Sequence, residues 1–137
     1  MENQQLTLSV KALKFAEEYH TGMRKDGVTP EFDHQVSIVR FITKLPDLIY
    51  PDATCAVGFL HDVSEDYKIP FAEISKQFDT NVGRAVNLVT KKFDGVKRRE
   101  DKLFQVMAKH PVASIVKGVD RIHNQSTMKP FDQTKKN

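Results

Sequence analysis

Residues 60–66 read LHDVSED and bring one imidazole and three carboxylates to the end of an apolar run, Cys55–Leu60. Burying such groups is costly unless a partner compensates them. On a helix, His61 and Glu65 are four residues apart, as are Asp62 and Asp66, so each pair lies on neighbouring parts of one face. Imidazole together with carboxylate suits divalent first-row metals such as manganese, iron or zinc. The segment therefore predicts metal-centred chemistry.

Two other segments carry similar groups at the ends of apolar stretches. His34 begins one, and Asp120 follows another, with His123 and Asn124 three and four residues later. Taken singly, His34 is more often a hydrogen-bonded histidine, and Asp120 is more often a surface ion-pair partner. The three segments together, in the order His, His-Asp, Asp, predict a buried metal site.

This order and its helical setting resemble the HD superfamily of metal-dependent phosphohydrolases. The closer resemblance, over about residues 8–128, is to the hydrolase domain of the RelA/SpoT-type alarmone enzymes and their stand-alone small relatives. Approximate family patterns are RKDGxPYxxHP, LLHDxxEDT and VKLADRLHN. The matching segments here are Arg24–Gly27, His34, His61–Asp66 and Val116–Asn124. Gln35 and Tyr67 stand where the family has proline and threonine.

The resemblance implies a metal-dependent phosphohydrolase that removes the 3′-pyrophosphate of guanosine tetra- or pentaphosphate, (p)ppGpp. It implies one Mn²⁺, or another divalent first-row metal, held by four ligands: His34, His61, Asp62 and Asp120. Glu65 and Asp66 would orient and deprotonate the attacking water. The implied substrate contacts are base stacking by Arg24 with Lys25 beside it, phosphate binding by Lys97, and contact of Asn124 with the ribose.

Two other functions remain open at this point. An HD phosphohydrolase could act on a different nucleotide, for example NADPH or a signalling nucleotide. A non-catalytic nucleotide-binding protein could use the same fold. Glu65 and Asp66 favour an enzyme, because nucleotide binding alone does not require them.

The apolar spacing predicts an all-α fold, an irregular bundle of about seven helices. The first helix carries Leu8, Ala12, Phe15, Ala16 and Tyr19 on one face, and a loop follows at Gly22–Pro30. Asp33 is expected to cap the second helix, which ends at Leu45-Pro46, and the third begins near Pro51 and runs through the LHDVSED motif. Later helices are expected to begin at Pro70, at Asp79 or Thr80, after the charged stretch Asp94–Lys102, and at Pro111.

Length and composition predict one domain, residues 1–137, with a short polar C-terminal tail. The chain has 39% hydrophobic and 28% charged residues, and no apolar run reaches the ~20 residues of a membrane span. Its N-terminus lacks the basic and apolar regions of a signal peptide. The single cysteine, Cys55, lies in an apolar segment and is expected to be reduced, which favours a cytoplasmic location.

The formal net charge of +3 reflects basic residues concentrated in 91–102 and near the C-terminus. We expect Lys97–Arg99 to serve phosphate recognition and not nucleic-acid binding, because few aromatic residues lie among these cations. Residues 125–137 are polar and basic and contain Pro130. They are not expected to form a long packed helix. Without such a helix, Ile122, Met128 and Phe131 would be exposed. We expect a second copy of the chain to cover this surface, giving a homo-oligomer.

Overall fold

A computed structural model of the chain describes residues 7–23 and 27–136, and the side chains of 7–23 and 27–124. The helices are α1 (Leu8–Tyr19), α2 (Glu31–Thr43), α3 (Pro51–Leu60), α4 (Val63–Tyr67), α5 (Phe71–Gln77), α6 (Thr80–Val89), α7 (Glu100–Met107) and α8 (Pro111–Lys136). A short hairpin, β1 (Lys92–Phe93) and β2 (Val96–Lys97), lies between α6 and α7. The predicted all-α class is confirmed.

Helix α3 forms the centre of the bundle. Every residue from Thr54 to Leu60 is buried, and α3 packs against α1, α2, α6 and α8. A helix that is apolar on all sides must be surrounded by other elements. The His-Asp dipeptide follows this helix, so its position is set by an element that is buried among four others.

Helix α1 is capped partly by its neighbour. The Thr7 hydroxyl accepts a hydrogen bond from the Val10 N–H at 3.3 Å. The two carboxylate oxygens of Asp52, on α3, accept from the N–H groups of Leu8 and Ser9, each at 3.0 Å. These acceptors satisfy N–H groups that have no partner within the helix. Asp52 thereby fixes the start of α1 against the start of α3.

The predicted helix starts are partly confirmed. Asp79 caps α6, with its side chain accepting from the Val82 N–H at 2.8 Å, and Pro111 is the first residue of α8. The prediction for α2 is wrong: the cap is Pro30 and the helix begins at Glu31, so Asp33 lies in its first turn. Proline at the cap suits a helix start because it has no N–H group that needs a partner.

The third helix does not run through the LHDVSED motif as predicted. It ends at Leu60, and a turn at His61-Asp62 separates it from α4. Asp62 has φ −103° and ψ −3°, outside ideal helical values. The turn aims the two side chains at one point, which a continuous helix would not do because adjacent residues lie about 100° apart around it.

The hairpin of residues 92–97 was not predicted from the sequence, and it overlaps the start of the charged stretch Asp94–Lys102. Asp94 and Gly95 connect its strands with φ of 52° and 79°, and two positive φ values are those of the tight turns that hairpins prefer. The guanidinium of Arg98 holds the hairpin to α6 by donating to the Asn87 carbonyl at 2.6 Å and the Thr90 carbonyl at 2.9 Å. It also lies over the Phe71 ring at 5.2 Å.

The backbone of α8 continues to Lys136, so residues 125–136, expected to be a tail, extend the last helix. Met128 and Phe131 belong to the part of α8 whose side chains lie outside the described residues. Ile122 is described, and 53% of its surface is exposed. Within the described part of the chain, no helix combines the length and hydrophobicity needed to cross a bilayer.

Candidate metal centre and active site

Three parts of the bundle deliver imidazole and carboxylate groups to one place. His34 lies in the first turns of α2, His61 and Asp62 form the turn after α3, and Asp120 lies in the middle of α8. The buried residues Val112, Val116 and Val119 hold α8 against the core. Their spacing fixes the rotation of α8 and thereby the direction of Asp120.

The ligand-type atoms of these residues converge. His34 Nε2 lies 2.9 Å from Asp120 Oδ1, and His61 Nε2 lies 3.2 Å from the same oxygen. Asp62 Oδ2 lies 3.2 Å from His61 Nε2 and 3.9 Å from His34 Nε2. All four residues predicted as metal ligands are therefore neighbours, although they come from three distant segments.

The ring of His61 is fixed by its own helix. Its Nδ1–H donates to the Gly58 carbonyl at 2.7 Å, which leaves Nε2 facing the carboxylates. A histidine that donates one ring N–H to a backbone carbonyl is held in the orientation that metal-binding histidines use. His34 is held similarly, with its Nδ1 2.8 Å from His123 Nδ1.

Close packing of α2 on α3 brings His34 near His61. A Cβ added to Gly58 would lie 3.0 Å from Ile42 Cδ1 and 3.0 Å from Val39 Cγ2. Only a residue without a side chain leaves that space. Gly58 therefore sets the separation of the two elements that carry the histidines.

The charges of this cluster are strongly coupled. Burial alone would raise the pKa of Asp62, but the neighbouring His61 offsets this and lowers the pKa to about 2. Hydrogen bonds from His34 and His61 likewise overcome burial and lower the pKa of Asp120. Burial would lower the pKa of His61, yet Asp62 and Asp120 raise it well above its ordinary value. The two carboxylates thus favour the protonated form of His61.

The donor set fits a divalent first-row ion. Ligands that share one ion at about 2.1 Å must lie roughly 3–4 Å from one another, as the histidine nitrogens and carboxylate oxygens do here. His34, His61 and Asp120 offer atoms that all lie within 4.8 Å of one another. Two neutral imidazoles and two carboxylates would balance the charge of a divalent cation.

The Glu65–Asp66 pair lies in α4, directly after the turn. Desolvation of the carboxyl group, together with the charges of Asp62, Glu65 and Glu31, raises the pKa of Asp66 to about 7. A group with a pKa near neutrality can both accept and return a proton under ordinary conditions. Asp66 therefore has the titration behaviour that proton transfer requires.

Sequence reasoning missed a group formed by His20, Glu31 and Tyr67. Glu31 Oε1 accepts hydrogen bonds from the Tyr67 hydroxyl and from His20 Nδ1, the latter at 2.7 Å. Burial lowers the pKa of His20, which favours its neutral, donating form. This group holds the end of α4 against the start of α2. Its sequence signal is weak, because the three residues share no motif.

Gln35 also contacts the site. Its side chain is buried, and its Nε2 donates to Asp62 Oδ2 at 3.3 Å. The amide thus lies where it can hold the Asp62 carboxylate. The departure of Gln35 from the family pattern was visible in the sequence, whereas its contact with a residue 27 positions away was not.

A cleft of about 230 Å³ opens beside Asp120. Its lining residues come from the end of α6, the start of α7 and one face of α8: Lys91, Glu100, Lys117, Asp120, Arg121 and Asn124. Asn124, predicted to contact substrate, is thus at the cleft, and its Nδ2 donates to Asp120 Oδ1 at 3.2 Å. Sequence reasoning did not single out Lys91, Lys117, Arg121 or Glu100 as site residues.

Of the other three predicted substrate contacts, the structure describes Lys97. Lys97 is exposed on β2 and does not line the cleft. Its neighbour Arg98 is engaged in holding the hairpin, and Arg99 pairs with Asp101 at 2.9 Å. Arg24 and Lys25 lie outside the described residues.

Comparisons with known proteins agree with this geometry. Three relatives, each 32–33% identical to this chain, come from different bacteria. A Streptomyces antibioticus protein named GTP pyrophosphokinase matches over 91% of this chain and 15% of its own length. A Borreliella burgdorferi protein named guanosine-3′,5′-bis(diphosphate) 3′-pyrophosphohydrolase matches over 86% of the chain and 18% of its own length.

The third relative, from Synechocystis, is named a probable guanosine-3′,5′-bis(diphosphate) 3′-pyrophosphohydrolase and matches over 88% of the chain and 17% of its own length. The chain thus spans less than a fifth of the length of each of these relatives. Their names agree with the RelA/SpoT-type resemblance of the motifs. A family model described as HD domain matches residues 12–105, which include His34 and the His61-Asp62 pair. With Asp120 completing the cluster, this chain belongs to the HD domain family.

Proposed function

We propose that this domain is a metal-dependent phosphohydrolase that removes the 3′-diphosphate of (p)ppGpp, with Mn²⁺ as its metal. The observation that carries the proposal is the convergence of His34, His61, Asp62 and Asp120 on one point beside a basic cleft. The names of two relatives supply the substrate and the reaction.

The four converging residues would hold the metal. When bound, it would lower the pKa of a water molecule towards neutrality and neutralise negative charge on phosphoryl oxygens. Gly58 and His123 orient the two imidazoles, and Gln35 and Asn124 contact the two carboxylates. Each ligand therefore has a protein group that limits its rotation, which supports a preorganised site.

Asp66 and Glu65 would orient the attacking water and accept its proton. The pKa of about 7 for Asp66 supports this role, because a base with that pKa is partly deprotonated at neutral pH. In the reaction, the water oxygen bonds to the phosphorus attached to the ribose 3′-oxygen. The bond between this phosphorus and the 3′-oxygen breaks, and the 3′-oxygen takes a proton. The products are the 5′-phosphorylated nucleoside and inorganic pyrophosphate.

The remaining contacts are proposed from the family. Arg24 would stack on the guanine base with Lys25 beside it, Asn124 would contact the ribose, and Lys97 would contact a phosphate.

A nucleotide panel tests the function directly. Purified protein is incubated with Mn²⁺ and (p)ppGpp, NADPH, and guanosine and adenosine phosphates, and the products are separated by anion exchange. We expect (p)ppGpp to be the best substrate and to yield pyrophosphate. A better rate with NADPH or another nucleotide would identify an HD phosphohydrolase of different specificity. Nucleotide binding without turnover would identify a non-catalytic protein.

A further inference from the structure

The cleft beside Asp120 is formed by elements that are far apart in sequence. Lys117, Asp120, Arg121 and Asn124 are spaced so that they share one face of α8, beside the stripe of buried valines. Lys91 follows the end of α6, and Glu100 begins α7. The cleft therefore extends from a candidate metal ligand, Asp120, towards cations supplied by two other elements.

The charge of the lining favours an anionic occupant. The lining contains three cations, Lys91, Lys117 and Arg121, and two carboxylates, Glu100 and Asp120. The Asp120 carboxylate already contacts His34 and His61. Across residues 7–23 and 27–124, no carboxylate lies within ion-pair distance of any of the three cations. Cations gathered without paired acids attract phosphate groups.

Arg121 is already oriented. Its guanidinium lies over the Phe104 ring of α7, 5.7 Å from the ring centroid. Stacking on an aromatic ring restricts the side chain while leaving its N–H groups free to donate. An arginine held in this way loses less conformational entropy when it binds an oxyanion.

The size of the cleft indicates which part of a nucleotide it takes. Pockets for drug-sized ligands enclose roughly 300–1,000 Å³, and this cleft encloses about 230 Å³. Its lining is charged or polar throughout, so it suits a phosphate group better than a purine base. Because it adjoins Asp120, a phosphate in it would be next to the phosphorus that reacts.

We propose that this cleft binds the phosphate beyond the scissile bond, and that Lys91, Lys117 and Arg121 make the site selective for a diphosphate over a monophosphate. This inference rests on the proposed function. In the reaction, water attacks the phosphorus attached to the 3′-oxygen, and the bond between this phosphorus and the 3′-oxygen breaks. The second phosphate, held in the cleft, leaves together with the first one as pyrophosphate. Glu100 is the opposing charge that limits affinity for this anion.

Binding of inorganic phosphates tests the selectivity of the cleft independently of turnover. Protein loaded with Mn²⁺ and dialysed free of excess metal is titrated calorimetrically with inorganic pyrophosphate and, separately, with orthophosphate. We expect pyrophosphate to bind at least tenfold more tightly. Lys91→Ala, Lys117→Ala and Arg121→Ala should each weaken pyrophosphate binding roughly tenfold, as for loss of a charge-assisted hydrogen bond. Lys14→Ala, which removes an exposed cation of α1, should leave the affinity unchanged.

Glu100→Gln provides a test of opposite sign. Removing this carboxylate should tighten pyrophosphate binding several-fold, which a general loss of structure could not do. Unchanged or weaker binding in Glu100→Gln, or equal effects of the three cation variants on pyrophosphate and orthophosphate, would overturn the proposal.

Catalysis separates this inference from the function on which it rests. The ratio of kcat/KM for guanosine 5′-diphosphate 3′-diphosphate to that for the 3′-monophosphate should fall roughly tenfold in Lys117→Ala and Lys91→Ala. If neither nucleotide is hydrolysed while the binding pattern holds, the proposed function fails and the diphosphate site stands. If hydrolysis occurs but the three cations affect neither binding nor the ratio, the function stands and the inference fails.

Discussion

Asp120 Oδ1 lies 2.9 Å from His34 Nε2, although 86 residues separate them in the chain. The same oxygen is 3.2 Å from His61 Nε2. One carboxylate oxygen thus contacts the imidazoles of two other elements, and the proton retained by His61 balances part of its charge. A divalent cation that displaced this proton would supply the positive charge in its place.

Replacing either residue of the His-Asp turn should remove the metal. We expect His61→Ala and Asp62→Ala to lose bound Mn²⁺ and to lower turnover by roughly 10³-fold or more, since several kcal/mol of charge stabilisation disappear with the metal. Elemental analysis after dialysis measures the metal content. Asp101→Ala, which removes an exposed carboxylate that forms an ion pair with Arg99, should keep its metal. Full metal content in either site variant would contradict the proposed ligands.

The acidic pair of α4 should affect turnover without affecting metal content. Glu65→Gln and Asp66→Asn should each reduce kcat roughly 10²-fold or more, because only proton transfer is lost. Metal content and kcat are measured on the same preparations, with exposed Glu17→Gln as the control. Normal turnover in one of these variants would exclude that residue as an essential base.

Metal affinity should increase with pH. The folded-state pKa of His61 is raised by Asp62 and Asp120, so the imidazole holds a proton up to a higher pH than a free histidine. Since the metal must displace this proton, affinity should fall about tenfold for each unit of pH below the raised pKa. Calorimetric metal titrations in buffers of different ionisation enthalpy measure the number of protons released on metal binding. Metal binding without proton release between pH 6 and 7 would show that His61 is already neutral.

Separating α2 from α3 should weaken both the fold and the metal site. In Gly58→Ala the new Cβ meets Ile42 and Val39 at 3.0 Å, and such overpacking costs about 1–3 kcal/mol of unfolding free energy. Metal affinity should also fall, because His34 and His61 move apart. Gly118→Ala is the matched control: among the described residues, no atom outside the adjoining part of α8 lies within 4 Å of its added Cβ, so stability should be unchanged or higher by up to ~1 kcal/mol. Urea denaturation and metal titration of both variants make the comparison.

The exposed side of α8 should mediate self-association. The prediction is that Ile122, which is 53% exposed, belongs to an apolar patch on α8, because contiguous exposed apolar patches commonly mark interfaces. Light scattering at micromolar concentration should give the mass of a dimer or higher oligomer, and Ile122→Lys should shift it towards a monomer. A monomer mass for the unchanged chain would rule out this surface as a homo-oligomer interface.

Several parts of the fold could be predicted because their signals are local. Asp79 caps α6 and Pro111 begins α8, since capping and proline preferences depend on a few adjacent residues. That His34, His61, Asp62 and Asp120 lie together could be anticipated, because imidazoles and carboxylates at the ends of apolar helices are costly to bury without a compensating charge. The geometry of the cluster was not predictable, since the break at His61-Asp62 depends on packing around α3.

Other features were missed for identifiable reasons. The hairpin has only two residues in each strand, too few for an alternating pattern, although Asp94-Gly95 is a recognised turn dipeptide. The cleft could not be predicted because Lys91 and Glu100 meet α8 only in the folded chain. Lys97 and Arg98 are adjacent in sequence but differ in structure. Lys97 is exposed, whereas Arg98 holds the hairpin against α6. Their sequence alone could not distinguish these two positions.

The capping of α1 by Asp52 also bears on how the chain acquires its structure during synthesis. Two N–H groups of the first turn of α1 depend on a carboxylate that is 43 and 44 residues further along the chain. Hydrogen bonds from Leu8 and Ser9 lower the pKa of Asp52 despite its partial burial, so its negative charge faces the positive end of the α1 dipole. A ribosome must therefore release residues beyond Asp52 before α1 can be completed. Although α1 is made first, its final docking awaits α3, so the apolar face of α1 stays exposed in the nascent chain until α3 has been made.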